Sequence, residues 1–221
     1  MTYFNEDFNQ FFIDLAPNNH KEWFDQNRKR YETSVKKPFD HFINALIAEV
    51  KKHDPSVQIT AKEAVFRINR DIRFSQDKSL YKLNRSAIIS QYGRKDHSQP
   101  GFYIQLGPEA VHLGGGAYFL QPDQLTKVRA YIMAHPKKFR TAIEDPDFKK
   151  HYGSIKGEEN KRLDKSLKEA SEKEPFLFKK QFYYMTEIPA DSLSKANFMN
   201  TVMEYYLAGK PVEDFLKDAL A

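Results

Sequence analysis

No cysteine occurs anywhere in the 221 residues, which excludes disulfides, thiolate metal sites and cysteine nucleophiles. No apolar run approaches the roughly 18 residues that a membrane-spanning helix requires. The opening stretch MTYFNEDFNQFF has neither a basic lead nor a signal-type apolar segment. A cytoplasmic protein with no membrane partner is therefore expected. HExxH, GxSxG, the Walker glycine loop and Cys/His metal spacing are all missing, and the seven histidines are scattered. No metal site is expected, no motif names a cofactor, and the question of catalysis stays open. Nothing reads as a hinge rich in Gly, Ser or Pro, so residues 1–221 are taken as a single domain.

What the chain does have is aromatic bulk and a local concentration of positive charge. Hydrophobic residues make up 40%, including 18 Phe and 12 Tyr, which is enough for a core, while 29% charged residues cover the outside. The net charge is +5. Between Phe66 and Arg85 lie six basic residues against two acids, so one short segment holds nearly the whole excess. A nucleic-acid binder spreads Lys and Arg along a face or tail more often than it gathers them in one place. This concentration favours a local anion site.

Periodicity divides the chain into three parts. Residues 1–55 read as helical: Phe8, Phe11, Phe12 and Leu15 recur at helical spacing, a second helix carries Trp23, Phe24 and Tyr31, and Pro38 suits the first turn of a third with Phe39, Phe42, Leu46 and Val50 on one side. Residues 60–118 read as a sheet, with strands expected at 66–74, 86–92, 101–106 and 110–113; GGG at 114–116 is read as a sharp turn or a close backbone approach. The strands from 86 to 113 have no helical crossovers between them, so the sheet is expected to be antiparallel. Residues 119–221 read as helices with one further strand at 176–188. The charged stretch 156–175 is expected to be a solvated loop with a helical portion, and the two final helices to be split by GKP at 209–211. The class is α+β, a mostly antiparallel sheet packed by N-terminal and C-terminal helices.

FRINRDIRFSQDKSLYK, residues 66–82, places Arg70 in a row with Phe66, Ile68, Ile72 and Phe74, if the segment is extended. A guanidinium in an apolar row must meet a carboxylate, backbone carbonyls or a bound anion. Glu63 and Asp77 are candidate carboxylates. The opposite face carries Arg67, Asp71 and Arg73, where an aspartate can orient two planar forks that suit phosphate or carboxylate. Arg67, Arg70, Asp71, Arg73 and Phe74, followed by Asp77, Lys78, Tyr81 and Lys82, resemble the signature of a widespread bacterial family, also represented in fungi, known only as a domain of unknown function. The segments FFIDLAPNNHKEWFDQNRKRYE, PGFYIQL, GGGAYF and LTKVRAYI are similar to family segments in the same order. The resemblance covers nearly the whole chain and implies a shared scaffold and site, without supplying an activity.

Two functional classes follow. The first is a pocket for a small anionic ligand bearing phosphate or carboxylate: Arg67, Arg70 and Arg73 donate to the anion, Lys78, Tyr81 and Lys82 close the rim, and Asp71 or Asp77 serves as base if there is catalysis. His112, Gly114 and Gly115 are further candidates, the glycines as an anion-binding nest. The second is a nucleic-acid module in which Tyr81, Tyr92, Tyr103 and Tyr118 stack bases beside the same basic patch. A scaffold whose Arg/Asp cluster is purely structural is a third alternative.

Overall fold

A computed structural model describes residues 2–96, 98–163 and 165–221. The helical N-terminal part forms as its periodicity requires. α1 (Glu6–Leu15) buries Phe8, Phe11, Phe12 and Leu15. The short α2 (Lys21–Gln26) and α3 (Arg28–Arg30) follow, and a π-helical turn (Tyr31–Lys36) leads into α4 (Lys37–His53). Pro38 falls in the first turn of α4, where its missing N–H costs nothing. Phe39, Phe42, Leu46 and Val50 are buried along one side of that helix.

A one-turn helix, α5 (Ala61–Ala64), is capped by a reciprocal pair between Thr60 and Glu63. β1 (Arg85–Ile89), β2 (Gly101–Leu106), β3 (Ala110–Ala117) and, much later, β4 (Phe182–Pro189) form one antiparallel sheet in the order β1-β2-β3-β4. Between β3 and β4 run α6 (Pro122–Ala134), α7 (Pro136–Ile143), α8 (Pro146–Tyr152) and α9 (Lys165–Lys173). The chain ends in α10 (Phe198–Leu220). The α+β class with an antiparallel sheet is therefore observed.

The residues gather into two compact units, each assembled from separated stretches of chain. One comprises Met1–Arg94, Tyr103–Leu113 and Glu187–Met203; the other comprises Lys95–Phe102, Gly114–Thr186 and Glu204–Ala221. The first has an aromatic core in which Phe8, Phe11, Phe12, Phe39 and Phe42 are fully buried. The second packs Phe139, Phe148, Phe182, Tyr184 and Phe215 into its own cluster.

Several local expectations need correction. Residues 66–74 are not a strand. They pair only through isolated bridges, Val65 with Ala87 and Asn69 with Tyr81. Phe66 N–H donates to the Ser86 carbonyl and Lys82 N–H to the Ile68 carbonyl, at 2.9 and 2.8 Å. Arg67 alone therefore stands opposite Leu83, Asn84 and Arg85, and the ladder bulges there. Beyond Arg70 the Asp71 carboxylate accepts from Arg73 N–H, which turns the chain away from the sheet and leaves Phe74 96% exposed.

GGG is not a turn: Gly114, Gly115 and Gly116 lie inside β3, buried. A Cβ on Gly115 would stand 2.6 Å from the Tyr184 hydroxyl, and one on Gly114 would stand 2.3 Å from the Tyr184 carbonyl. The glycines are there for close approach. The chain does not break at GKP either, because α10 runs through Pro211. Gly209 lets the Tyr184 ring approach, and its carbonyl accepts from the Tyr184 hydroxyl at 3.0 Å. Pro211 cannot donate to the Leu207 carbonyl, so the helix passes through it without that one backbone bond, next to the exposed Leu207. Residues 175–178 form a 3₁₀ turn and Lys179 makes an isolated bridge with Glu159, so the strand expected at 176–188 starts only at Phe182 and runs to Pro189. In 156–175 the helical portion is α9; Asp164 lies outside the described residues.

Candidate functional site

The bulge at Arg67 and the π turn before α4 together shape an open cavity of about 470 Å³ within the first unit. Its helical wall is Tyr31, Lys36, Asp40 and Asn44. In α-helical spacing Tyr31 would point well away from Lys36; the wider π turn, bonding i to i+5, draws them toward one face. Asn44 accepts from Ala61 N–H at 2.9 Å, which ties α4 to the start of α5 and brings Lys62 to the rim. Opposite stand Phe66, Arg67 and Arg85, with Arg94 beyond.

Arg85 is the deepest cation, with a side chain only 5% exposed. Because three residues must occupy the space opposite one, its side chain folds back and donates from Nη1 to the Phe66 carbonyl at 2.9 Å. Its guanidinium lies over the Phe39 ring at 5.3 Å. The nearest carboxylate oxygen, Asp40 Oδ1, is 3.9 Å from Nη2, beyond hydrogen-bond reach. Nε is buried and has no partner. Burial raises the Asp40 carboxyl above its ordinary range, against the opposing pull of Arg85 and Lys36.

Lys82 stands beside this group, its ammonium over the Phe66 ring at 5.5 Å. Burial lowers its pKa, and the charges of Arg85 and Arg67 lower it further. Neither Arg67 nor Lys82 forms an ion pair among the described residues. Arg94 is anchored differently: its guanidinium donates to the Val65 carbonyl. Gly93 makes that reach available, with φ at +58° and no room for a Cβ, which would sit 2.7 Å from the Glu63 carbonyl oxygen.

The other residues singled out from the sequence lie in different surroundings. Arg70 pairs with Asp77, and Asp77 also accepts from Ser79 N–H and hydroxyl at 2.9 and 2.7 Å. Ser79 and Arg70 together hold the Asp77 carboxyl far below its usual range. Arg73 clasps Asp71 with two contacts of 3.0 and 2.7 Å, which brings the Asp71 carboxyl down to about 2. Lys78 donates to the Ile72 carbonyl at 3.2 Å. Tyr81 is 6% exposed and stacks on Phe24 at 4.0 Å, with Asn19 bonded to both its backbone N–H and its carbonyl. His112 lies 3.3 Å from Glu187 and lines a second cavity of about 490 Å³ with Phe12, Ile13, Leu83 and Pro108. Gly114 and Gly115 meet Tyr184 within β3's surroundings.

Of the residues expected at the site, Arg67 and Lys82 are thus brought together, and Arg70, Asp71, Arg73 and Asp77 are paired among themselves. Sequence reasoning missed Arg85, Asp40, Arg94 and Tyr31 as cavity groups. One signal was readable: Lys36, Asp40 and Asn44 recur every four residues, a polar stripe alongside the apolar one of α4.

The chain belongs to the DUF2461 family. The model for this family of conserved hypothetical proteins matches residues 7–215, nearly the whole length. No curated protein and no solved structure matches the chain. No helix among the described residues is long and apolar enough to cross a membrane. Membership in DUF2461 carries no activity with it, so function must be argued from the cavity.

Proposed function

We propose that the cavity between α4 and the Arg67 bulge binds a small molecule bearing phosphate or carboxylate. The observation that carries this reading is the pair Arg67 and Lys82, set beside the buried Arg85 with no carboxylate bonded to any of the three. Like charges gathered in a partly desolvated place repel one another and destabilise the fold unless an anion neutralises them. Guanidinium forks and an ammonium are the groups that recognise phosphate and carboxylate oxygens. A cavity of about 470 Å³ lies in the range typical of small-molecule sites.

In this reading Arg67 and Arg85 donate to the anion from the cavity lining and Lys82 from beside the Phe66 ring, with Lys62 and Arg94 at the edge. The Arg70–Asp77 and Arg73–Asp71 pairs brace the adjoining loop. A nucleic-acid module using the same patch has less support. Tyr81, the tyrosine of the motif, is stacked on Phe24 and unavailable to a base; the exposed ring of the motif, Phe74, lies beside Arg73, whose charge Asp71 already takes up; and a strand-tracking groove would present its cations in a row.

Thermal unfolding at about 0.15 M salt, where diffuse attraction is screened, tests the proposal. Inorganic phosphate, sugar phosphates, nucleotides, dicarboxylates and short oligonucleotides form the panel. A small anion should raise the midpoint in the wild type and fail to do so in Arg67→Ala. A rise with oligonucleotides alone would transfer the patch to the nucleic-acid class, and no rise with any of them would leave it structural.

A further inference from the structure

The charges around the cavity are unequal in kind as well as number. Lys36, Lys62, Arg67, Arg85 and Arg94 are cations, and Asp40 is the one carboxylate among the described lining residues. Lys36 is already engaged, its ammonium 3.0 Å from Glu32. Asp40 is held more loosely: it lies within ion-pair range of Arg85 at 3.9 Å, but no N–H or O–H among the described residues donates a hydrogen bond to its oxygens. A half-buried carboxylate with unused acceptors in a cationic cavity repels the anionic end of a ligand and attracts a hydrogen-bond donor. It therefore polarises the site along its length.

From Arg85 toward Arg67 the donors left without a hydrogen-bond partner exceed what one carboxylate can satisfy. Arg67 offers a whole fork, Lys82 an ammonium, and Arg85 its unpartnered Nε. A carboxylate brings one negative charge and two oxygens. A phosphate monoester brings a charge of about −1.5 to −2 at neutral pH and three terminal oxygens. The cavity is also far larger than a phosphate ion, and its floor includes the Phe66 ring.

Resting on the anion-pocket reading, we infer that the ligand is a phosphate monoester whose alcohol part carries a hydrogen-bond donor. Its phosphoryl group is held by Arg67, Lys82 and Arg85, and its hydroxyl or ammonium group is received by Asp40. The ligand thus lies with its charge at the bulge and its polar carbon skeleton along α4.

Calorimetric titration of the full chain with glycerol phosphate, propyl phosphate and inorganic phosphate tests this directly. The two esters match in carbon number and charge and differ in hydroxyl groups. Glycerol phosphate is expected to bind about tenfold tighter than propyl phosphate, the gain of a hydrogen bond to a charged group. Asp40→Ala should erase that preference and leave propyl phosphate bound as well as before, or better. Equal affinities of the wild type for the two esters would overturn the inference, as would a preference that survives in Asp40→Ala; the wild-type comparison decides even if the variant does not fold. Binding of inorganic phosphate in those cases would leave the anion pocket standing. Failure of all three phosphates would overturn the inference and leave the pocket reading to stand or fall on carboxylate ligands alone.

Discussion

Arg70 and Arg73 share a short stretch of chain with Arg67 and Arg85, yet the two pairs meet opposite surroundings. In the exposed loop each guanidinium has a carboxylate of its own, Asp77 or Asp71, and the loop closes on itself. At the bulge the guanidinium groups stand beside Lys82, and the one carboxylate among the described lining residues, Asp40, reaches Arg85 only at 3.9 Å, an ion pair without a hydrogen bond. Residue type cannot separate these cases, since both are arginines near aspartates in sequence. Geometry separates them: a turn brings residues two to seven apart into contact, whereas a bulge drives residues toward a cavity that a distant helix lines. Self-sufficient charges hold structure, and unmatched ones invite a ligand.

Five substitutions break or sharpen this contrast, taken from the largest expected effect to the smallest. Arg85→Met strips the Phe66 carbonyl of its donor in a buried place, and should destabilise the protein by about 2–3 kcal/mol in denaturant unfolding while abolishing anion binding. A stable Arg85→Met that still bound phosphate would remove the basis for the contrast. Arg67→Ala should lower anion affinity by about tenfold or more, the loss of one charged fork, with unfolding free energy unchanged within about 0.5 kcal/mol. Arg73→Ala is its control and should leave affinity untouched.

Lys82→Met should raise the midpoint of the unliganded protein by about 1–2 °C and weaken anion binding at the same time. The sign follows from the lowered Lys82 pKa: folding disfavours the ammonium, so its charge costs stability below the folded value, and the cost fades as pH climbs toward the ordinary lysine value of about 10.4. The gap between wild type and Lys82→Met should therefore close at alkaline pH in parallel melts. The smallest effect belongs to the loop. Exposed pairs contribute little, so Arg70→Ala and Arg73→Ala should each leave the unfolding midpoint nearly unchanged. The Asp71 carboxyl should titrate near 2 by NMR, so the pair with Arg73 persists above the ordinary aspartate range and is lost only as pH falls through that value.

The helices and the 101–113 hairpin were legible because their apolar residues repeat with the period of the element that buries them: Phe8, Phe11 and Phe12 for α1, Phe102, Ile104 and Leu106 for β2. The 66–74 segment alternates just as well and is not a strand, because alternation carries no information about how many residues stand opposite. For a related reason the GGG run of β3 allowed two readings, a turn or a close backbone approach, and the sequence could not choose between them. Three glycines in a row suggest a turn unless one knows that the Tyr184 backbone and ring lie against them. Arg67 and Lys82 were visible in the motif, but Asp40 and Tyr31 reach the cavity from a helix some thirty residues earlier, through a π turn that periodicity does not mark.

The mismatch of one residue against three at Arg67 makes chain length part of the chemistry. Deleting two of the residues 83–85 would let Ile68 and Phe66 pair onward in regular register, giving a flatter hairpin of ordinary ladder bonds. Such a protein would keep Arg67 and Lys82 in its sequence and lose the hollow that Arg67 lines. In this family, then, a short deletion between the motif and β1 should be more damaging to the site than most single substitutions within it, and spacing is the trait by which to judge whether a relative has kept the cavity.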